Sequence, residues 1–180
     1  MNLENIRMHV DAYKSHDQIL DAAQFLIRNY KLEHENFAGF DFRPERSANA
    51  LLLTAEGVLG GPQKVYIPRN IFDFNLPLVL NLIAHEMLHV RQKAPGHIVE
   101  DKNEREWQAY TEMLFHKEFP QIPDAPDFNR KQFAEKALEY YRRMGEGSEL
   151  QQKYASEKKK VETVLEEILS KKSAAQNQPL

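Results

Sequence analysis

The sequence contains no cysteine, and this absence removes several kinds of chemistry at once. Without thiols the protein forms no disulfide, has no thiolate nucleophile and offers no sulfur anion to a metal ion. Any zinc ion that it binds must therefore be held by histidine and carboxylate side chains. Seven histidines are present in the 180 residues, and two of them stand four residues apart.

The sequence also lacks a strong charge of one sign and any long apolar run. Its net charge of −3 gives no electrostatic reason to expect a nucleic-acid partner. No apolar stretch is long enough to span a bilayer, and the first residues lack the pattern of a signal peptide. We therefore expect a cytoplasmic protein without a membrane partner. A hydrophobic fraction of 42% is enough for one packed core.

Residues His85–His89 have the pattern His-Glu-Met-Leu-His. In a helix, His85 and His89 lie on one face, one turn apart, where both imidazoles can bind a single divalent metal ion, usually zinc. Glu86 lies beside them and can take a proton from a metal-bound water. The preceding residues 76–84 are apolar except for Asn81, so the first half of this helix is predicted to be buried. Surface histidines rarely follow a helical segment that is buried in this way, and the context therefore favours a metal site.

Two histidines do not complete a catalytic zinc site, which uses three protein ligands and leaves one position for water. His97 follows in the loop beyond the motif, and the next predicted helix offers Glu104 and Glu106. These two glutamates lie about 200° apart around a helix, so at most one of them faces the metal. We predict Glu106, because the small residue Ala109 on its face lets the two helices approach closely. Glu104, which capping and the helix dipole explain, and His97 remain as alternatives.

The motif, followed by Glu106-Trp107-Gln108-Ala109-Tyr110, resembles the gluzincin arrangement of zinc metallopeptidases, in which a ligand glutamate lies on a second helix. The Glu-x-x-Ala form is similar to small zincin-like peptidases of the ImmA/IrrE type and, more loosely, to thermolysin. The resemblance covers residues 64–118, about a third of the chain. One difference is Tyr110, which stands where thermolysin-like enzymes have an aspartate that supports a histidine.

The resemblance implies an α+β, zincin-like fold, in which a small twisted and mostly antiparallel sheet packs on the metal helix and further helices follow. It also implies an edge strand that binds extended peptide, and residues 64–67 match that strand by position. Val65, Tyr66 and Ile67 are accordingly the residues expected to contact a peptide or protein substrate.

The function implied is zinc-dependent hydrolysis of peptide bonds, with Zn²⁺ held by His85, His89 and Glu106 and with Glu86 as general base. A developing oxyanion usually needs a second hydrogen-bond donor. Tyr110 and His97 are candidates for that role, and Asn81 is a candidate support for His85. Other donors to consider are His116, Tyr140 and Tyr141.

A rival function is a non-catalytic regulatory or interaction domain that keeps zinc for structure. The glutamate inside the motif argues against it, because a purely structural site needs no base. In this rival function, the chain would use its C-terminal helices to bind a partner. The predicted helix over 148–171 is either an amphipathic helix packed on its own domain or an arm that binds a partner.

Capping signals and apolar periodicity divide the rest of the chain. Strands are predicted over residues 37–42, 49–55 and 64–68. Further helices are predicted over residues 15–31, 101–118, 127–144 and 148–171, the first opened by a capping box at Ser15. The expected organisation is a metallopeptidase domain over 1–147, a C-terminal helix over 148–172 and a disordered tail over 173–180.

Overall fold

The computed structural model describes residues 2–44 and 51–176, with side chains as far as residue 171. This part of the chain is α+β, with six α-helices and one three-stranded sheet. The helices are α1 Leu3–Ser15, α2 Ile19–Asn29, α3 Leu76–Gln92, α4 Lys102–Phe115, α5 Asp127–Arg143 and α6 Glu149–Gln176. The strands are β1 Phe37–Arg43, β2 Thr54–Glu56 and β3 Gln63–Pro68.

The sheet has the strand order β1-β3-β2 and is mixed. β2 and β3 pair antiparallel across the turn at 57–62, whereas β1 pairs parallel to β3 on the other side. The expectation of a mostly antiparallel sheet is therefore wrong for one of the two pairs. The reason is topological, since the chain passes from β1 to the far edge of the sheet before it returns through the centre.

The central position of β3 also makes the predicted substrate strand wrong. Val65 and Tyr66 pair with β1 on one side and with β2 on the other, so their backbone presents no free edge to a peptide, and Ile67 pairs with β1. Val65 and Ile67 are fully buried in the core. The edge strand on this side is β2, which is shorter than the strand predicted over 49–55. Residues 51–53 are not in a strand, and residues 49 and 50 lie outside the described residues.

The N-terminal region differs from the predicted pattern. Residues 3–15 form α1, which begins where Asn2 accepts a hydrogen bond from the Asn5 backbone. Ser15 ends this helix, so it does not open the next one as a capping box. Ile6 and Val10 of α1 are buried, and Leu3 and Tyr13 pack against the same core. These four residues have the spacing of an amphipathic helix, which was not predicted from the sequence.

Helices α3 and α4 both begin at side-chain caps, and α3 confirms the predicted burial. Asn75 accepts the Leu78 N–H at the start of α3, and Asp101 accepts the Glu104 N–H at the start of α4. Most of α3, including the motif, is buried. Hydrogen bonds join Gln92 to the start of α4 and Asn81 to His116 just beyond its end. The two helices therefore run antiparallel, side by side.

A second apolar cluster surrounds Trp107, which is fully buried. Val161 of α6 is buried within it, and Ile168 is buried further along the same helix. α6 thus packs an apolar stripe on its own chain. It continues to Gln176, four residues into the segment predicted as a tail, and residues 177–180 lie outside the described residues. None of the described helices has the length and apolarity needed to cross a membrane.

Candidate metal site

Three side chains from two helices converge at the centre of the molecule. His85 and His89 of α3 bring their Nε2 atoms to 3.1 Å, and the Oε2 atom of Glu106 on α4 lies 3.7 Å from each of them. Within the described residues, this is the one group of three or more histidine, aspartate or glutamate side chains whose possible ligand atoms all lie within 4.8 Å of one another. Both histidines are buried, and a metal ion could be held here.

The structure brings Glu106 to the histidines and places the two alternatives elsewhere. His97 is exposed in the loop between α3 and α4. Glu104 points toward α6, where its Oε1 accepts hydrogen bonds from Lys153 Nζ and the Tyr154 hydroxyl, both at 2.7 Å. Glu104 therefore does more than compensate the helix dipole, which is all that its place in the sequence indicates.

The charges of the three side chains depend on one another. Burial raises the pKa of Glu106, but the hydrogen bonds and positive charges of His85 and His89 outweigh it and hold the pKa well below its usual range. Burial lowers the pKa of His89, yet contact with Glu106 and the charge of Glu86 leave it raised overall. Two imidazole nitrogens facing each other beside a carboxylate require a cation or a proton between them. The carboxylate is ionised at neutral pH, as a metal ligand must be.

Gln92 orients the ring of His89. Its Nε2 donates to Gln108 Oε1 at 2.8 Å and to the Arg105 carbonyl at 3.1 Å, so its Oε1 faces His89 Nδ1, at 2.8 Å. His89 Nδ1 is therefore the donor in that bond, and the lone pair of its Nε2 is directed at the site. Gln92 was not predicted to belong to the site, although its place three residues after the second histidine was a usable signal.

The hydrogen bonds continue from Gln92 to α6. Gln108 Nε2 donates to the Tyr154 hydroxyl at 2.7 Å, and that hydroxyl in turn donates to Glu104. Because the acceptor at the end is a buried carboxylate, each donor in this series has a fixed direction. We call the series Gln92, Gln108, Tyr154 and Glu104 the glutamine relay. It connects a candidate metal ligand to the C-terminal helix.

Glu86 lies beside the three side chains and is also buried. Its Oε2 accepts a hydrogen bond of 2.7 Å from the Ala55 N–H in β2. The Ala55 carbonyl accepts a bond of 2.7 Å from Lys93 Nζ, one turn beyond His89. Both backbone groups of Ala55 thus point away from β3. The free edge of β2, and not β3, borders the site.

A cavity of about 420 Å³ opens over this site. Residues 51–55 form one wall, and α3, α4 and Tyr140 of α5 form the others. Tyr110 lines it, with its ring edge-on to His85 at 4.7 Å and stacked on Tyr140 at 5.7 Å between ring centroids. Burial, and then the charge of Glu106, raises the pKa of Tyr110, so its hydroxyl stays protonated. His97 does not line this cavity.

The predicted support of His85 by Asn81 is wrong. The Asn81 amide donates to the Pro77 and Pro123 carbonyls, both at 2.8 Å, and its oxygen lies 3.0 Å from His116 Nε2. Its hydrogen-bonding capacity is used to hold the loop after α4 against α3. His85 Nδ1 instead faces the sulfur of Met113, at 3.3 Å.

Comparisons with models of protein families, with curated proteins and with solved structures give no significant match. The functional assignment therefore depends on the chemistry of the site itself.

Proposed function

We propose that this protein is a zinc-dependent peptidase of the gluzincin type with a zincin-like core. The observation that carries the proposal is the carboxylate of Glu86, buried beside three convergent ligands and open to a cavity. A structural zinc site is closed by four protein ligands, whereas a catalytic site leaves one position free. Three ligands, one base and a cavity together are the composition of a catalytic site.

The ligand geometry supports zinc as the metal. Ligands at about 2.0–2.1 Å from a tetrahedral zinc ion lie about 3.3 Å from one another. The separations of 3.1 and 3.7 Å among His85, His89 and Glu106 lie on either side of that value. Two neutral imidazoles and one carboxylate are also a donor set that catalytic zinc sites use. Small rotations of the side chains are enough to complete the site.

Each residue of the chain then has a definite part in hydrolysis. A zinc ion held by His85, His89 and Glu106 would polarise the scissile carbonyl and lower the pKa of its bound water. Glu86 takes the proton of the attacking water and returns it to the nitrogen of the leaving amine. The protonated hydroxyl of Tyr110 is the donor best placed to stabilise the negative oxygen that develops, because it lines the cavity beside His85.

The substrate strand in this proposal is β2. The Ala55 N–H and C=O point away from β3 into the cavity, so an extended peptide can add to this edge by backbone hydrogen bonds. To do so it must displace the contacts that Ala55 makes with Glu86 and Lys93. That exchange brings the substrate backbone directly beside the proposed base.

Metal analysis and a peptide-library digest of zinc-loaded protein test the proposal. We expect one zinc per chain and cleavage that Glu86→Gln reduces by about 10²–10⁴-fold, because Gln cannot accept the proton. Glu86→Gln should keep both the metal and the fold. Protein that takes up no transition metal would refute the site. One zinc per chain without cleavage of any library peptide would favour a non-catalytic zinc-binding domain instead.

A further inference from the structure

The cavity over the metal site has two chemically different ends. Because α3 and α4 run antiparallel, residues beyond His89 on α3 meet residues before Glu106 on α4. This end carries three cations, Lys93, Lys102 and Arg105, which we call the cationic end. The opposite end is apolar and aromatic, and it is lined by Leu82, Tyr110 and Tyr140. The His-His-Glu group lies between the two ends.

The three cations have no carboxylate partner within the described part of the chain. Lys93 is half-buried and donates to the Ala55 carbonyl. Arg105 donates to the Val99 and Glu100 carbonyls at 2.6 and 2.8 Å. The hydrogen bonds of Lys93 and Arg105 therefore end on neutral oxygens, and none of the three cations is ion-paired with a carboxylate of the described residues. The two carboxylates that line the cavity, Glu86 and Glu106, are already engaged at the metal group.

The position of these charges is unfavourable for stability alone. Lys102 and Arg105 stand in the first turns of α4, where the helix dipole disfavours cations. Burial and the charge of Arg105 lower the pKa of Lys93, against the opposing charges of Glu86 and Glu106. Charged residues that are clustered where burial or a helix dipole disfavours them are characteristic of functional sites. A divalent cation at the metal group would make the cavity more positive still.

We propose that the cationic end binds a carboxylate of the substrate and restricts cleavage to peptides that carry one near the scissile bond. This inference rests on the peptidase function proposed above and names its substrate class. The carboxylate is either the C-terminus of the peptide or an acidic side chain. Arginine and lysine recognise both through the same charge-assisted hydrogen bonds.

Lys93 links this recognition to binding along β2. Its ammonium donates a hydrogen bond to the Ala55 carbonyl, which is the acceptor that an added peptide strand would use. A peptide that supplies its own N–H to this carbonyl releases the ammonium toward the incoming carboxylate. One residue thereby changes partner as the substrate enters.

Peptide binding to zinc-loaded Glu86→Gln protein tests the inference without requiring cleavage. Fluorescent peptides would differ only in Glu or Gln at successive positions and in a free or amidated C-terminus. We expect about tenfold tighter binding of a peptide with the matching carboxylate, weakened by salt. Lys93→Gln with Lys102→Gln should remove this preference, while Lys131→Gln on α5, which does not line the cavity, should retain it. Arg105 is left in place because it also holds the loop before α4.

The outcomes separate the two sources and the two proposals. Loss of tight binding on amidation identifies the C-terminus, and dependence on one internal Glu identifies an acidic side chain. Equal binding of all peptides, or an acid preference that survives the double substitution, would overturn the inference. Lys93→Glu provides a second check, because it should turn the preference toward a Lys-bearing peptide. Cleavage without a preference for acidic peptides would support the peptidase function and refute the carboxylate subsite. Acid-selective binding without cleavage would support the subsite and refute the peptidase function.

Discussion

Glu104 and Glu106 stand two residues apart on α4, yet their carboxylates lie on opposite sides of it. The carboxylate of Glu106 meets two histidines, and that of Glu104 meets Lys153 and Tyr154. A helix rotates by about 200° over two residues, so this separation follows from its geometry. The same residue type therefore serves a candidate metal site at one position and helix packing at the other.

Substitution of each glutamate should distinguish these roles. Glu106→Ala should weaken zinc binding by orders of magnitude, because it removes one of three ligands and the only anionic one. Glu104→Ala should keep zinc binding within a few fold but lower the free energy of unfolding by about 1–2 kcal/mol, since it leaves the half-buried Tyr154 hydroxyl without its acceptor. Zinc titration and urea denaturation measure the two effects.

His97→Ala is the matched control for this pair. Its side chain is exposed and does not line the cavity, so neither zinc affinity nor stability should change. Loss of zinc in His97→Ala, or in Glu104→Ala but not Glu106→Ala, would contradict the ligand assignment. Either result would move the third ligand away from the position that the helix geometry gives it.

At the scale of elements, α6 reaches the candidate metal site through the glutamine relay and not by direct contact. Tyr154 supplies a hydroxyl to Gln108 and also packs its ring on Trp107, with 5.9 Å between ring centroids. The helix thus contributes to the second apolar cluster and to the orientation of His89. A partner that binds α6, as one interpretation of the sequence proposes, would act close to this relay.

The relay predicts a graded loss of metal affinity. Gln92→Leu should weaken zinc binding by about 10–100-fold, the usual effect of removing a group that orients a ligand. Tyr154→Phe should cause a smaller loss, because it keeps the ring and removes only the distant hydroxyl. Zinc titration tests the order of the two effects, with a thermal melt to show that both variants are folded. Equal zinc affinity in Gln92→Leu and wild type would contradict the role given to the relay.

At the scale of the whole molecule, the candidate metal site lies between the two apolar clusters. α3 belongs mainly to the first cluster, and Trp107 of α4 belongs to the second, so a metal ion held between these helices links both. Ligands that bind only the folded state stabilise it by mass action. Metal content should therefore affect global unfolding as well as local order around the cavity.

Thermal unfolding measures this link. Free zinc at about a thousand times its Kd should stabilise the fold by about 4 kcal/mol, which for a chain of this size raises Tm by about 10 °C. Chelator should reverse the change, and His85→Ala should abolish it. An unchanged Tm in wild type with and without zinc would show that no metal binds between the helices.

The short-range features of this protein could be predicted from the sequence because helices impose them within a few residues. The facing of His85 and His89, the caps at Asn75 and Asp101, and the choice of Glu106 all follow from positions within one or two turns. The absence of cysteine limited the ligands in the same direct way. Helix α1 was missed although Leu3, Ile6, Val10 and Tyr13 have helical spacing in the sequence.

Only the tertiary structure decided which distant residues meet. β3 is the central strand because β1, more than twenty residues earlier in the chain, pairs with its far side. The edge strand that borders the candidate metal site is therefore β2. Gln92, Lys93 and Glu104 acquired their partners from α4, β2 and α6, where no local spacing indicates them. Helical periodicity relates residues three or four positions apart, whereas pairing between strands and packing between helices depend on the path of the whole chain.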